Sequence, residues 1–214
     1  MQACRRRLLA VAVVCTLGLF ATPASPGAEE AGARKDGGAW GFQKGQQEVG
    51  LLVGYGFEVD SAGSDKSDMV KDLEFALVRA RWGIFLTDRV GRGFLEGNLE
   101  FLVEPAFLLS TNPTRRTGYE LAVLFRYHFA TESRWVPFVT LGAGIIEENF
   151  EVSGRPSSGF NFTPQGGPGV SYLLGGNMAV SLEWRIYHVS NANIDTPNVG
   201  LNISFLLLGL SFFF

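Results

Sequence analysis

The feature that most limits what this chain can fold into is a strict two-residue alternation that recurs in segments of strand length. From Tyr119 to Phe129 the odd positions are Tyr119, Leu121, Val123, Phe125, Tyr127 and Phe129, and the even ones include Glu120, Arg126 and His128. Leu95, Leu99, Phe101, Val103 and Phe107 alternate in the same way with Glu96, Asn98, Glu100 and Glu104. Successive side chains of a strand point to opposite sides, so each segment is a ribbon with one continuous apolar face and one charged face.

Eight such segments are legible: Glu48 to Glu58, Leu73 to Leu86, Phe94 to Leu109, Gly118 to Ala130, Val136 to Ile146, Phe160 to Leu174, Met178 to Ser190 and Leu201 to Phe214. Most reach the 9 to 11 or so residues that a tilted membrane strand needs. Eighteen Phe and 27 Gly agree with β structure, because aromatics suit pleated surfaces and glycines suit bends and bulges. The connections alternate: Asp88 to Gly93, Thr131 to Arg134 and Gly175 to Asn177 read as short turns. Asp60 to Lys71, Ser110 to Thr117, Glu147 to Gly159 and Asn191 to Gly200 read as longer polar loops. The expected fold is all-β, an eight-stranded antiparallel transmembrane barrel with apolar residues toward lipid, short turns in the periplasm and long loops outside. Eight strands leave room only for side chains, so Arg79, Arg81, Glu96, Glu100, Glu104, Glu120 and Arg126 are expected to pair inside, which disfavours a diffusion channel.

Both ends of the chain agree with an outer-membrane address. Arg5 to Arg7 precede an apolar run from Leu8 to Phe20 and then Thr22-Pro23-Ala24, which reads as a secretory signal peptide over residues 1–24. Residues 25–46 read as a flexible periplasmic leader and 47–214 as the barrel. The ending Ser211-Phe212-Phe213-Phe214 resembles the carboxy-terminal signal that the outer-membrane assembly machinery reads. Cys4 and Cys15 lie in the segment expected to be removed, which excludes disulfide, thiolate and zinc-thiolate chemistry from the mature protein. Losing Arg5, Arg6 and Arg7 lowers Lys+Arg from 18 to 15 against 21 Asp+Glu, so nucleic acid is not an expected partner.

The seventh segment carries the candidate chemistry. Leu182, Trp184 and Ile186 form its apolar face, and the same parity continues through His188 to Ser190, so a histidine and a serine face lipid near the outer end of a strand that ascends from the periplasm. Polar groups on a lipid face are costly near the midplane and cheaper near the interface. Residues i and i+2 of a strand stand roughly 6.5–7 Å apart, a gap the two side chains can close, and an imidazole suits the removal of a serine proton at neutral pH. By themselves the two residues read more readily as interfacial positions bonded to lipid headgroups.

The residues that follow add to this. His188-Val189-Ser190-Asn191-Ala192, then Pro197-Asn198-Val199-Gly200-Leu201-Asn202 and a last apolar strand, resemble the signature of the PagL family of lipid A 3-O-deacylases, also called acyloxyacyl hydrolases. The resemblance implies an eight-stranded barrel with Ser190 as nucleophile and His188 as base, acting on lipid A of lipopolysaccharide in the outer leaflet. It implies no metal and no cofactor, and leaves a homodimer open. Where the family pattern places a glutamate to orient the histidine, this chain has Asn202; an amide can still accept from an imidazole N–H but cannot stabilise the imidazolium by charge. Asp195 is the alternative acid. Asn191, Asn198 and Gly200 are the candidates for holding the oxyanion, although Asn and Gly are also ordinary turn residues. His128 reads as a packed lumen residue, and several of Trp40, Trp82, Trp135 and Trp184 as interfacial aromatics. No G-x-S-x-G elbow, H-E-x-x-H or phosphate-binding glycine loop occurs. The rival reading is a non-catalytic barrel with a structural or adhesive role.

Overall fold

The computed structural model describes residues 41–59, 73–150, 159–175, 177–194 and 200–214. The expected signal peptide, most of the leader, Trp40 and all or part of three of the expected long loops lie outside them. Nine strand segments follow in chain order: β1 (Gln47–Glu58), β2 (Glu74–Phe85), β3 (Gly97–Asn112), β4 (Arg116–Phe129), β5 (Trp135–Glu148), β6 (Gly159–Phe162), β7 (Gln165–Gly175), β8 (Met178–Val189) and β9 (Leu201–Phe213). Both β6 and β7 pair with β5, so they are two parts of one barrel strand, interrupted at Thr163 and Pro164. The interruption leaves the wall intact. Thr163 exchanges backbone hydrogen bonds with Gly144 at 2.8 and 3.1 Å, and the Pro164 carbonyl accepts from the His188 N–H at 3.0 Å. Every pairing is antiparallel, and β1 bonds to β9, which closes an eight-stranded barrel.

The alternation decides which side faces in. Leu121, Val123 and Phe125 of β4 are exposed on the outer wall, with Leu206, Leu208 and Phe212 of β9 and Val49 to Phe57 of β1 continuing the apolar surface. A wall this apolar has no solvent but a bilayer. Inside, Arg79, Arg81, Arg126 and Arg185 are all buried. Glu104 is their centre: its carboxylate accepts from Arg79 at 2.7 Å, Arg81 at 2.6 Å and Arg185 at 2.8 Å, while Glu183 accepts from Arg126 at 3.1 Å and Arg185 at 2.7 Å. Glu120 accepts from Arg79 at 2.5 Å and from Thr163 and Gln165. Each of these buried charges thus meets an opposite charge, which low-dielectric surroundings require. His128 is buried with them, its Nε2 2.8 Å from Glu100, as a packed lumen residue.

Three local expectations need correction. The β2–β3 connection runs from residue 86 to 96 and has structure of its own: a Val90–Gly97 bridge, a 3-10 turn (Gly93–Leu95), and Gly91 and Gly93 at positive φ. Strand three therefore starts at Gly97 rather than Phe94, and Glu96 pairs near the surface with Arg89 instead of lining the lumen. The connection expected as a long loop over 110–117 is short, because β3 and β4 continue their ladder up to the Ser110–Arg116 pair. The expected leader also ends earlier than residue 46. Phe42 is buried against Phe85, Phe213 and His128 with ring centroids 4.3–5.1 Å apart, and its carbonyl accepts from Asn98. Residues 41–46 thus close the short-turn end of the lumen. At that end Trp135 packs at a tilt against Tyr172, and Trp82 donates to Gln47, as an interfacial aromatic girdle would.

Candidate active site on the outer wall

β8 rises from the short turn at Gly175 toward the 191–200 connection, so its last residues stand at the long-loop end. Leu182, Trp184 and Ile186 are exposed on its outer face; His188 and Ser190 continue that face half-buried, while Glu183, Arg185, Tyr187 and Val189 point in. Neighbouring strands seat the pair. On one side Ser190 bridges to Phe162 through two backbone hydrogen bonds of 2.8 and 3.1 Å, and His188 bonds to Pro164. On the other side His188 lies directly opposite Asn202 in the β8–β9 ladder.

That register produces the central contact. His188 Nδ1 and Asn202 Oδ1 are 2.6 Å apart. An amide oxygen only accepts, so Nδ1 is the donor in this contact, and in a neutral ring the lone pair would be on Nε2. Ser190 lies one same-face step further toward the loop end. A hydroxyl, an imidazole with a basic nitrogen and a group fixing the other nitrogen are therefore on one patch of wall. An ester-cleaving serine uses two contacts, from hydroxyl to imidazole and from imidazole to an orienting group, and the second of them is formed here.

The remaining candidates fall out differently. Asn191 begins a tight turn: its carbonyl accepts from Ile194 N–H at 3.0 Å, its Oδ1 accepts from Asn193 N–H at 2.9 Å, and Ala192 and Asn193 both have positive φ. This is the geometry of a type I′ turn, so Asn191 turns the chain immediately after Ser190. Gly200 sits one step past the Val189–Leu201 pair, on the patch with His188. Asp195 and Asn198 lie outside the described residues. Among the described residues no cluster of His, Cys, Asp and Glu could hold a metal ion.

One neighbour was not anticipated. Ser204, two residues after Asn202 on the same outward parity, is buried because the Trp184 indole lies across it and donates Nε1–H to its hydroxyl at 2.8 Å. The sign in the sequence is a pair of polar even positions, Asn202 and Ser204, heading the otherwise apolar series Leu206, Leu208, Leu210 and Phe212. Trp184 is therefore a fixed part of the wall below the site rather than an interfacial belt residue.

Residues 74–211 match the family model described as lipid A 3-O-deacylase (PagL). The chain belongs to this family. The family places it in the outer membrane as an integral barrel and supports a lipid A deacylase activity. Among solved structures, the outer membrane enzyme PagL is similar at 20% identity and a TM-score of 0.52, with 76% of this chain and 97% of that chain covered. Neisserial surface protein A is similar at 17% identity and a TM-score of 0.57, with 80% and 100% covered. At these identities the two likenesses show the barrel fold. No curated protein matches the chain.

Proposed function

We propose that the protein hydrolyses the ester-linked acyl chain at the 3-O position of lipid A, with Ser190 as nucleophile, His188 as general base and acid, and Asn202 orienting the imidazole. The single observation that carries this is the 2.6 Å hydrogen bond from His188 to Asn202 on the outward face, beside Ser190. A buried catalytic group would suit a soluble ester. An outward-facing one at the loop end suits an ester whose acyl chains already lie in the outer leaflet.

In the first half-reaction His188 Nε2 takes the Ser190 proton as Oγ attacks the ester carbonyl. The resulting imidazolium returns that proton to the departing sugar oxygen, leaving an acyl-serine. In the second half-reaction His188 deprotonates a water that attacks the acyl-serine, and the proton returns to Ser190 Oγ as the fatty acid leaves. The oxyanion is held by donors of the 191–200 connection, with the Asn191 and Asn198 amides as candidates. The acyl chain lies along the apolar wall below Ser190.

The test is to incubate the refolded mature protein with purified lipopolysaccharide and to compare the lipid A masses with those from Ser190→Ala. Loss of one hydroxyacyl chain with the parent protein alone is the expected result, and fragmentation assigns its position. Continued deacylation by Ser190→Ala would move the nucleophile elsewhere. No deacylation of any lipid A type would favour a non-catalytic barrel, the reading that the neutral Asn202 supports.

A further inference from the structure

The His188 ring touches a residue that has no side chain to touch. A Cβ built on Gly200 would stand 2.8 Å from His188 Cε1 and 3.4 Å from Nε2. Carbon atoms do not share space at 2.8 Å, so any other residue at position 200 must displace the ring or itself. Among the described residues, Gly45, Gly91, Gly93 and Gly175 have a positive φ; at Gly200 it is the space a side chain would enter that matters. The demand for a missing Cβ comes from the imidazole.

We infer that Gly200 is a positioning residue, whose absent Cβ is the clearance that lets the imidazole reach across the β8–β9 seam with Nδ1 on Asn202 and Nε2 open to Ser190. This rests on the deacylase reading only for its catalytic consequence. The ring has little alternative room. The backbone N–H of His188 is tied to the Pro164 carbonyl, which fixes the strand that carries the ring, and Asn202 holds the ring itself at Nδ1. A methyl group at position 200 pushes the far edge of the ring outward and lengthens the 2.6 Å bond, which shifts Nε2 relative to the serine. The role differs from oxyanion binding, because an alanine keeps the backbone N–H that such binding would use.

The experiment uses tag-free mature protein refolded in detergent and labelled with nitrogen-15 in histidine. The chain has two histidines, and His128, buried beside Glu100 in the lumen, reports that the barrel is intact. In Gly200→Ala the His188 ring resonances are expected to shift, with those of His128 unchanged. The kcat on lipopolysaccharide is expected to fall about 10- to 100-fold, the cost of an ångström-scale misplacement, with KM within about threefold. A kcat equal to the parent's, or a loss of kcat with unmoved His188 resonances, overturns the inference. A double-mutant cycle supplies a readout free of activity. Gly200→Ala should lower the unfolding midpoint in the parent and change it less in a His188→Ala background, where no ring is met; additive effects also overturn the inference. A parent protein without deacylase activity would defeat the proposed function, and the cycle would still decide the clearance.

Discussion

Replacing Asn202 by aspartate adds a charge to the site while keeping the length of the side chain. In the parent the amide oxygen accepts from His188 Nδ1 at 2.6 Å, so the aspartate carboxylate would occupy the same place with little rearrangement. In the proposed reaction the imidazole becomes cationic as Ser190 attacks, so the added charge would stabilise chiefly the transition state. A hydrogen bond to a charged partner contributes about 1.5–3 kcal/mol, against about 0.5–1.5 kcal/mol for a neutral one. The difference of roughly 1–1.5 kcal/mol corresponds to about a tenfold rise in kcat. The site lies at the end of the strand, where a charge on the lipid face costs about 0–1 kcal/mol, so the gain survives. The assay is the initial rate of acyl release from lipopolysaccharide, measured at saturation beside Asn202→Ala, which removes the acceptor and should lower kcat about tenfold or more. Equal rates for parent, aspartate and alanine forms of the folded barrel would remove Asn202 from the reaction and refute the orienting role.

Other consequences follow from the wall and the lumen. Glu104→Leu leaves Arg79, Arg81 and Arg185 without their shared carboxylate, and should destabilise the barrel by about 3–5 kcal/mol, read as a lower urea midpoint of the heat-modifiable folded band. Phe42→Ala empties the stack against Phe85 and Phe213 and should cost about 3 kcal/mol by the same measurement, with acyl release unaffected at the opposite end. Trp184→Phe removes the donor to Ser204 and should cost about 1 kcal/mol by urea midpoint. Because ion pairs fill the lumen, the purified protein should show no stepwise conductance in planar bilayers; steady open channels would contradict the closed interior.

Facing was legible in the residues alone. A strand repeats every two residues whatever surrounds it, so His188 and Ser190 join Leu182, Trp184 and Ile186 on one side, and Arg79, Arg81, Glu104 and Arg126 take the other, in advance of any tertiary contact. Asn202 shares its parity with Leu206 to Phe212 for the same reason. The limits of strands three and four were less legible, since the ladder between them sets where the turn falls, and local composition around residues 110–117 reads as loop.

What only the tertiary structure decided is who stands opposite whom. Barrel closure fixes the stagger between β8 and β9, and a slip of one residue would turn every outward side chain inward. That stagger sets His188 against Asn202 at hydrogen-bond distance and brings the ring over Gly200. It also lays Trp184 over Ser204, while closure gathers arginines from β2, β4 and β8 around carboxylates from other strands. Phe42 is placed by the mouth it fills, a surface made by residues dozens to more than a hundred positions away. Periodicity is a property of one strand, so a sequence contains it. Partnership across a closed sheet depends on the stagger of all eight strands together, and the chain reveals it only when folded.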